Sequence, residues 1–205
     1  EVALMKDVPS KIEDVLKEKR DVFEPEETSV AVFYSISNCQ KGLAGISFGN
    51  FLIKQVANDL NLEFKNLNKF ITLSPVPGLR KWISNKYPKF DINLEKFKKP
   101  EQFLKVHETM MGYIGNYFLN SDRSDKMPND PVARFHLGNG ASLEQINYLG
   151  DNSLNGIKLS AGLMVNYLYD LDKVEQNHEQ FISEKKINIS KSAKKDLLRY
   201  MKNSV

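Results

Sequence analysis

Three side chains raise the question of chemistry first: Ser47, Ser74 and His136. Gly45 to Gly49 reads GISFG. That fits G-x-S-x-G, the nucleophile elbow, with Ser47 as nucleophile and His136 and an Asp elsewhere as partners. An elbow serine stands at the end of its own strand, on a sharp turn whose strain exposes Oγ. Here the apolar stretch Ser29 to Asn38 ends nine residues before Ser47. Ser47 therefore reads as a residue that caps or solvates the first turn of a helix, not as a nucleophile. The same neighbourhood suits another task. A strand, a loop carrying Gly42 and Gly45, and a helix N-terminus present free N–H groups and a positive dipole end to an anion, and phosphate is the obvious one. The spacing is neither a Walker A loop nor a dinucleotide fingerprint.

The elements that must position these groups follow from periodicity and punctuation. Val2-Ala3-Leu4 reads as the end of a strand. Ser10 and Glu13 read as a capping box opening a short helix to about Lys19. VAVFYSIS, residues 30–37, is apolar, β-branched and aromatic between polar flanks, the pattern of a buried central strand. Phe48, Phe51, Leu52, Val56 and Leu60 recur at helical spacing. KFITLS, 69–74, is a second buried strand. It runs through Pro75-Val76-Pro77-Gly78 into a helix with Leu79, Trp82 and Ile83. Pro100 opens a helix marked by Val106, Met110, Ile114 and Tyr117. Asp130 is the expected N-cap, and Pro131 the first residue, of a short helix carrying His136. Ser142 to Leu149 alternates loosely, GLMVNYLYD (162–170) is a strand, and 172–205 reads as two amphipathic helices.

Composition bounds the function classes. The 205 residues are 41% hydrophobic and 10% aromatic, enough for a proper core. Twenty-nine basic and 26 acidic residues leave a net charge of +3. That balance is too even for a nucleic-acid partner, which needs a basic stripe. No apolar run approaches the roughly 18 residues of a membrane span. The single cysteine, Cys39, rules out an internal disulfide framework and a cysteine-based zinc site, and fits a reducing compartment. The three histidines show no metal-ligand spacing. His107 and His178 read as structural. Lys41, Lys54 and Arg80 read equally well as solvated charge or as phosphate contacts. Without an initiator Met or a signal-peptide pattern, the chain is expected to be the C-terminal part of something longer and not secreted.

Longer blocks carry a resemblance. VAVFYSISNCQKGLAGISFGNFLIKQV (30–56), LSPVPGLRKW (73–82), NDPVARFHLGNGASLEQINYL (129–149) and SAGLMVNYLY (160–169) together resemble the catalytic domain of malonyl-CoA decarboxylase, in order and with sensible separations. The match is strong over 29–60, 70–83 and 128–170 and looser elsewhere. The resemblance implies an α/β (α+β) fold of the GNAT-like acyl-CoA-binding kind, a central mixed sheet flanked by helices. Residues 1–205 would form one N-terminally truncated catalytic region, with 172–205 as its C-terminal helices. It implies malonyl-CoA as partner, with release of CO2 and acetyl-CoA, and no separate cofactor, coenzyme A being part of the substrate. It leaves a homo-oligomer open, and places the protein in the cytoplasm of a bacterium or the mitochondrial matrix of a eukaryote.

By motif, the catalytic Ser of L-S-P-x-P-G falls on Ser74 and the catalytic His of F-H-L-x-N-G on His136. The CoA loop falls on Ala44, Gly45, Ile46, Ser47, Phe48, Gly49 and Asn50. Apart from the motifs, Tyr167 and Tyr169 share one strand face and read first as core packing, with Asn166 and Tyr169 as candidates for the acyl pocket. One departure matters: the family commonly has a functional Glu where this chain has Ser47, so no catalytic role is carried onto Ser47. The chemistry suits these residue types. Loss of CO2 from a malonyl thioester leaves an enolate whose oxygen must be stabilised and whose C2 must be protonated. Ser74, at a strand end before a Pro-started helix, is expected to donate to the substrate, and His136 to protonate C2 from its imidazolium form. A GNAT-type acyltransferase and a CoA-binding remnant without chemistry are the rival readings.

Overall fold

The computed structural model describes residues 1–18, 23–36, 49–90 and 100–201, without the side chains of 49–51 and 100–105. Its strands are β1 (Val2–Met5), β2 (Val30–Phe33), β3 (Lys69–Thr72), β4 (Ser74–Pro75), β5 (Ser142–Asn147) and β6 (Met164–Leu168). β1 pairs antiparallel with β2, and β2 parallel with β3. β6 runs antiparallel to β3 and β4 on one side and to β5 on the other. The result is the expected mixed sheet flanked by helices. The parallel β2–β3 pair needs a crossover connection, and helix α2 (Gly49–Glu63) lies between those two strands in the chain.

Alternation along the strands sorts side chains onto two faces. Val30, Val32, Ile71, Leu73 and Met164 face α1 (Ile12–Leu16) and pack with Val15. Ala31, Phe33, Phe70, Val165, Tyr167 and Tyr169 face the larger core. There they meet α2, α3 (Leu79–Lys86), α4 (Pro100–Leu119) and α5 (Pro131–Gly138). After these come α6 (Leu154–Ser160), α7 (Val174–Glu184) and α8 (Lys191–Met201), the last two being the amphipathic tail helices read from the sequence.

Several local expectations need correction. Ser10 does not cap α1: Lys11 holds the N-cap position with no side-chain bond, and the Ile12 N–H goes to the Gly150 carbonyl at 2.8 Å. A tertiary acceptor has replaced the capping box. On α2 the buried stripe is Ile53 and Ala57, flanked by Val56 and Leu60, whereas Leu52 is 61% exposed. β2 ends at Phe33, and residues 37–38 of the expected strand lie outside the described residues. Helix α3 begins at Leu79 after Gly78, so no proline starts it and its dipole does not begin at Ser74. α6 was not legible; Ser153 caps it by accepting from the Gly156 N–H.

Candidate functional site

The segment carrying His136 is tightly specified. Asp130 is the N-cap of α5, its carboxylate accepting the Ala133 N–H at 2.7 Å, and Pro131 follows it. At the other end the Asn139 and Ala141 N–H groups both donate to the His136 carbonyl at 3.1 Å. Gly140 then turns the chain with φ of +82°, and a Cβ there would stand 2.0 Å from the Val174 carbonyl oxygen. Only glycine fits that conformation and that space. The N-G-A part of the block therefore closes the helix and fixes the backbone of the histidine before it.

Ser74 reaches the same point from the sheet. Phe70, Thr72 and Ser74 alternate onto the face that α5 covers. Ser74 Oγ lies 3.1 Å from His136 Nε2 and donates to Thr72 Oγ1 at 3.0 Å. Thr72 Oγ1 also accepts the Tyr167 N–H at 3.2 Å. His136 Nδ1 lies 2.9 Å from the Tyr169 hydroxyl. The Asn139 amide also acts on that hydroxyl, without meeting full hydrogen-bond geometry. One proton arrangement satisfies the whole chain. Tyr169 donates to Nδ1, His136 donates from Nε2–H to Ser74 Oγ, and Ser74 donates to Thr72.

All of these groups are buried: Ser74 is 5% exposed, His136 3%, Tyr169 1% and Thr72 0%. Burial sets the charge state. Desolvation pushes the His136 imidazole down to about 3. Its two nitrogens face hydroxyls, which cannot hold a positive charge as a carboxylate would. Burial therefore favours the neutral imidazole over the imidazolium form expected from the sequence to protonate C2, and the Ser74-to-Thr72 hydrogen bond favours the Nε2–H tautomer. Burial likewise raises the Tyr169 hydroxyl, with the Asn139 amide opposing.

The pair opens into a cavity of about 340 Å³ walled by Phe33, Tyr34, Leu73, Pro75, Val132 and Phe135. Its lining is mostly apolar, with Ser74 and His136 among its polar groups, as in a site that strips water from a polar reacting group. Ile36 also lines it, and beyond Ile36 the chain enters 37–48. Ala44, Gly45, Ile46, Ser47 and Phe48 lie outside the described residues, while Gly49 and Asn50 form the start of α2.

The structure thus brings Ser74, His136 and Tyr169 together and leaves Asn166 out. Asn166 is one residue out of phase with the tyrosines. Its amide donates to the Thr72 and Pro9 carbonyls and its oxygen accepts from Asn147, so it ties the sheet rather than lining the pocket. Lys54 is engaged with Glu175 of α7 at 2.5 Å. His107 packs edge-on against Tyr148 and Tyr200, and His178 faces the Gly138 carbonyl at 2.6 Å, both structural as expected. Thr72 was missed. Its signal was a lone hydroxyl in an apolar strand, two residues before Ser74 and so on the same face.

Fold and site define an α/β domain with a buried, hydrogen-bonded serine–histidine pair beneath a mostly apolar pocket. The family model for the malonyl-CoA decarboxylase C-terminal domain matches residues 1–205, and the chain belongs to that family. Similar proteins include the mitochondrial malonyl-CoA decarboxylase of Rattus norvegicus, 31% identical over 240 residues, covering 99% of this chain and 48% of the relative. The chain thus spans about half the length of the curated relatives it matches. The crystal structure of malonyl-CoA decarboxylase from Rhodopseudomonas palustris superposes with a TM-score of 0.86 at 41% identity, covering 95% of this chain and 48% of that one. The Agrobacterium vitis structure gives 0.85 at 44% identity, covering 98% and 52%.

Proposed function

We propose that the protein containing this domain converts malonyl-CoA to acetyl-CoA and CO2, with Ser74 and His136 as the catalytic residues. The observation that carries the reading is the buried Ser74–His136 contact at a mostly apolar pocket, in a member of this family. An apolar pocket disfavours a free carboxylate, and loss of CO2 passes that localised charge into the delocalised thioester enolate. The C–C bond breaks, the carboxylate carbon leaves as CO2, and the electron pair passes to C2 and the thioester oxygen. With substrate bound, the Ser74 hydroxyl would turn its hydrogen from Thr72 Oγ1 to the developing oxyanion. His136 Nε2–H supplies the proton to C2, and a solvent proton restores the imidazole. A neutral histidine can do this because a thioester enolate is more basic than the imidazolate that the transfer leaves, with the Tyr169 hydroxyl at Nδ1 to share that charge. The thioester is the electron sink, so the proposal asks for no cofactor. The backbone of Ala44 to Phe48 and the α2 N-terminus at Gly49 and Asn50 would hold the CoA pyrophosphate.

The test is to incubate the whole protein with malonyl-CoA in D2O and to weigh the products. Acetyl-CoA carrying one deuterium is expected. Free CoA with malonate would instead mean hydrolysis, and malonyl transfer to an added amine would mean an acyltransferase.

A further inference from the structure

Tyr167 belongs to none of the hydrogen bonds that link Ser74, His136 and Tyr169 through their side chains, yet it touches the histidine most broadly. Its ring lies face to face with the His136 imidazole, centroids 4.7 Å apart and planes 25° from parallel. Phe135 and Tyr169 meet the same imidazole edge-on, at 5.0 Å and 6.1 Å. Tyr167 is fully buried, and its hydroxyl has no hydrogen-bond partner among the described residues. A buried hydroxyl left unpaired is a cost to folding, so the ring rather than the oxygen is what the site uses.

We infer that Tyr167 is a positioning residue for the reaction proposed above: its stacked ring holds the His136 imidazole in the plane that points Nε2–H at Ser74 and the pocket. Hydrogen bonds tolerate departures of about 30° from linearity, so the contacts at Nδ1 and Nε2 hold that plane only loosely. A parallel aromatic face removes the remaining tilt. The platform is rigid because Tyr167 lies in β6, between β5 and the β3–β4 side of the sheet. Leu143 is its register partner, and its own N–H is bonded to Thr72. The ring also closes one face of the imidazole to water, keeping it neutral. The titratable groups around this stack are Tyr169 just after β6, Tyr117 on α4, and Asp130 and Arg134 of the α5 segment; none places a carboxylate on the imidazole nitrogens.

The test compares Tyr167→Phe with Tyr167→Met in the whole protein. Tyr167→Phe keeps the ring and should retain at least half the turnover, with an equal or higher Tm. Tyr167→Met keeps a flexible apolar filling, though a smaller one, and loses the face. It should lower kcat at least tenfold with KM for malonyl-CoA within twofold, and its His136 ring carbon shifts should titrate nearer the ordinary histidine range. A tenfold loss in the Phe variant, or unchanged kcat and titration in the Met variant, overturns the inference. In the unsubstituted protein the His136 ring protons must show an upfield ring-current shift. Its absence overturns the inference even if the Met variant does not fold. The NMR readouts do not depend on which reaction the protein catalyses. A protein without decarboxylase activity but with the stack intact would refute the function and leave the positioning standing.

Discussion

At neutral pH His136 holds a single ring proton, and the hydroxyls on either side dictate which nitrogen carries it. Turnover should therefore be flat through pH 6 to 7, without the inflection an ordinary histidine would give. A pH–kcat profile checks this, and a fall centred near 6.5 that disappears in a His136 variant would contradict it. The same burial affects stability. The folded-state pKa is depressed from 6.5 to about 3. Between those values the unfolded chain binds the proton and the folded one does not. This contribution is fully present above pH 6.5 and is lost as pH falls toward 3. Denaturant midpoints measured across that range should fall less steeply for His136→Gln than for the unsubstituted chain. The identities of Ser74 and His136 were legible in the sequence because they sit in long blocks with a known family pattern. The charge state was not, because it depends on how deeply the histidine is buried and on hydroxyls arriving from β3, β4 and the residue just after β6. Asn166 misled for a simpler reason. One step along a strand reverses the face, and sequence alone does not say which face the pocket takes.

Element-level predictions concern how α5 and the turn after Ser74 are held in place. Asp130 caps α5 while fully buried, and desolvation raises its carboxyl to about 6, against the lowering effect of the Ala133 and Val132 N–H groups. A raised carboxyl binds its proton in the folded state, so stability from this group falls as pH rises from about 4 to 6, opposite in sign to His136. Asp130→Asn should keep an acceptor for the cap and flatten that dependence. Asp130→Ala should lose about 1 kcal/mol, the usual worth of a cap, and slow turnover by loosening α5; urea unfolding with parallel kinetics checks both. Tyr117 of α4 reaches from this cap to the Pro-Gly turn after Ser74: its hydroxyl lies 3.5 Å from Asp130 and 2.7 Å from where a Cβ on Gly78 would stand. Gly78→Ala should displace that hydroxyl and lower Tm by a few degrees, an effect Tyr117→Phe should relieve in the double variant. For the CoA loop, Ser47→Ala should leave CoA binding nearly unchanged. Gly49→Val should weaken it strongly by keeping phosphate from the backbone, as calorimetry with CoA would show. The Asp130 cap, the strand cores and the helix after Pro100 were legible because local chemistry decides them. α1 was legible as a short helix but its cap was not, because a distant carbonyl, Gly150, takes the Ile12 N–H; α6 was missed as a short helix whose exposed Leu154 and Leu159 blur its pattern.

Across the whole molecule, the sheet gathers groups far apart in the chain. Thr72 and Ser74, then His136, then Tyr167 and Tyr169 meet on one sheet face because β6 pairs alongside both β3 and β4. The mixed sheet was expected from the family resemblance, whereas its strand order and the two-sided role of β6 depend on pairings without a local signature. The central claim is that Ser74 and His136 act as one unit on malonyl-CoA. The most direct measurement is the rate of acetyl-CoA formation by the whole protein and by Ser74→Ala, His136→Asn and the double variant. Each single change should cost roughly 10² or more, with circular dichroism unchanged, and the double should be little worse than either, since groups acting as a unit are strongly non-additive. Near-normal rates in either single variant, or losses that multiply in the double, would contradict the account.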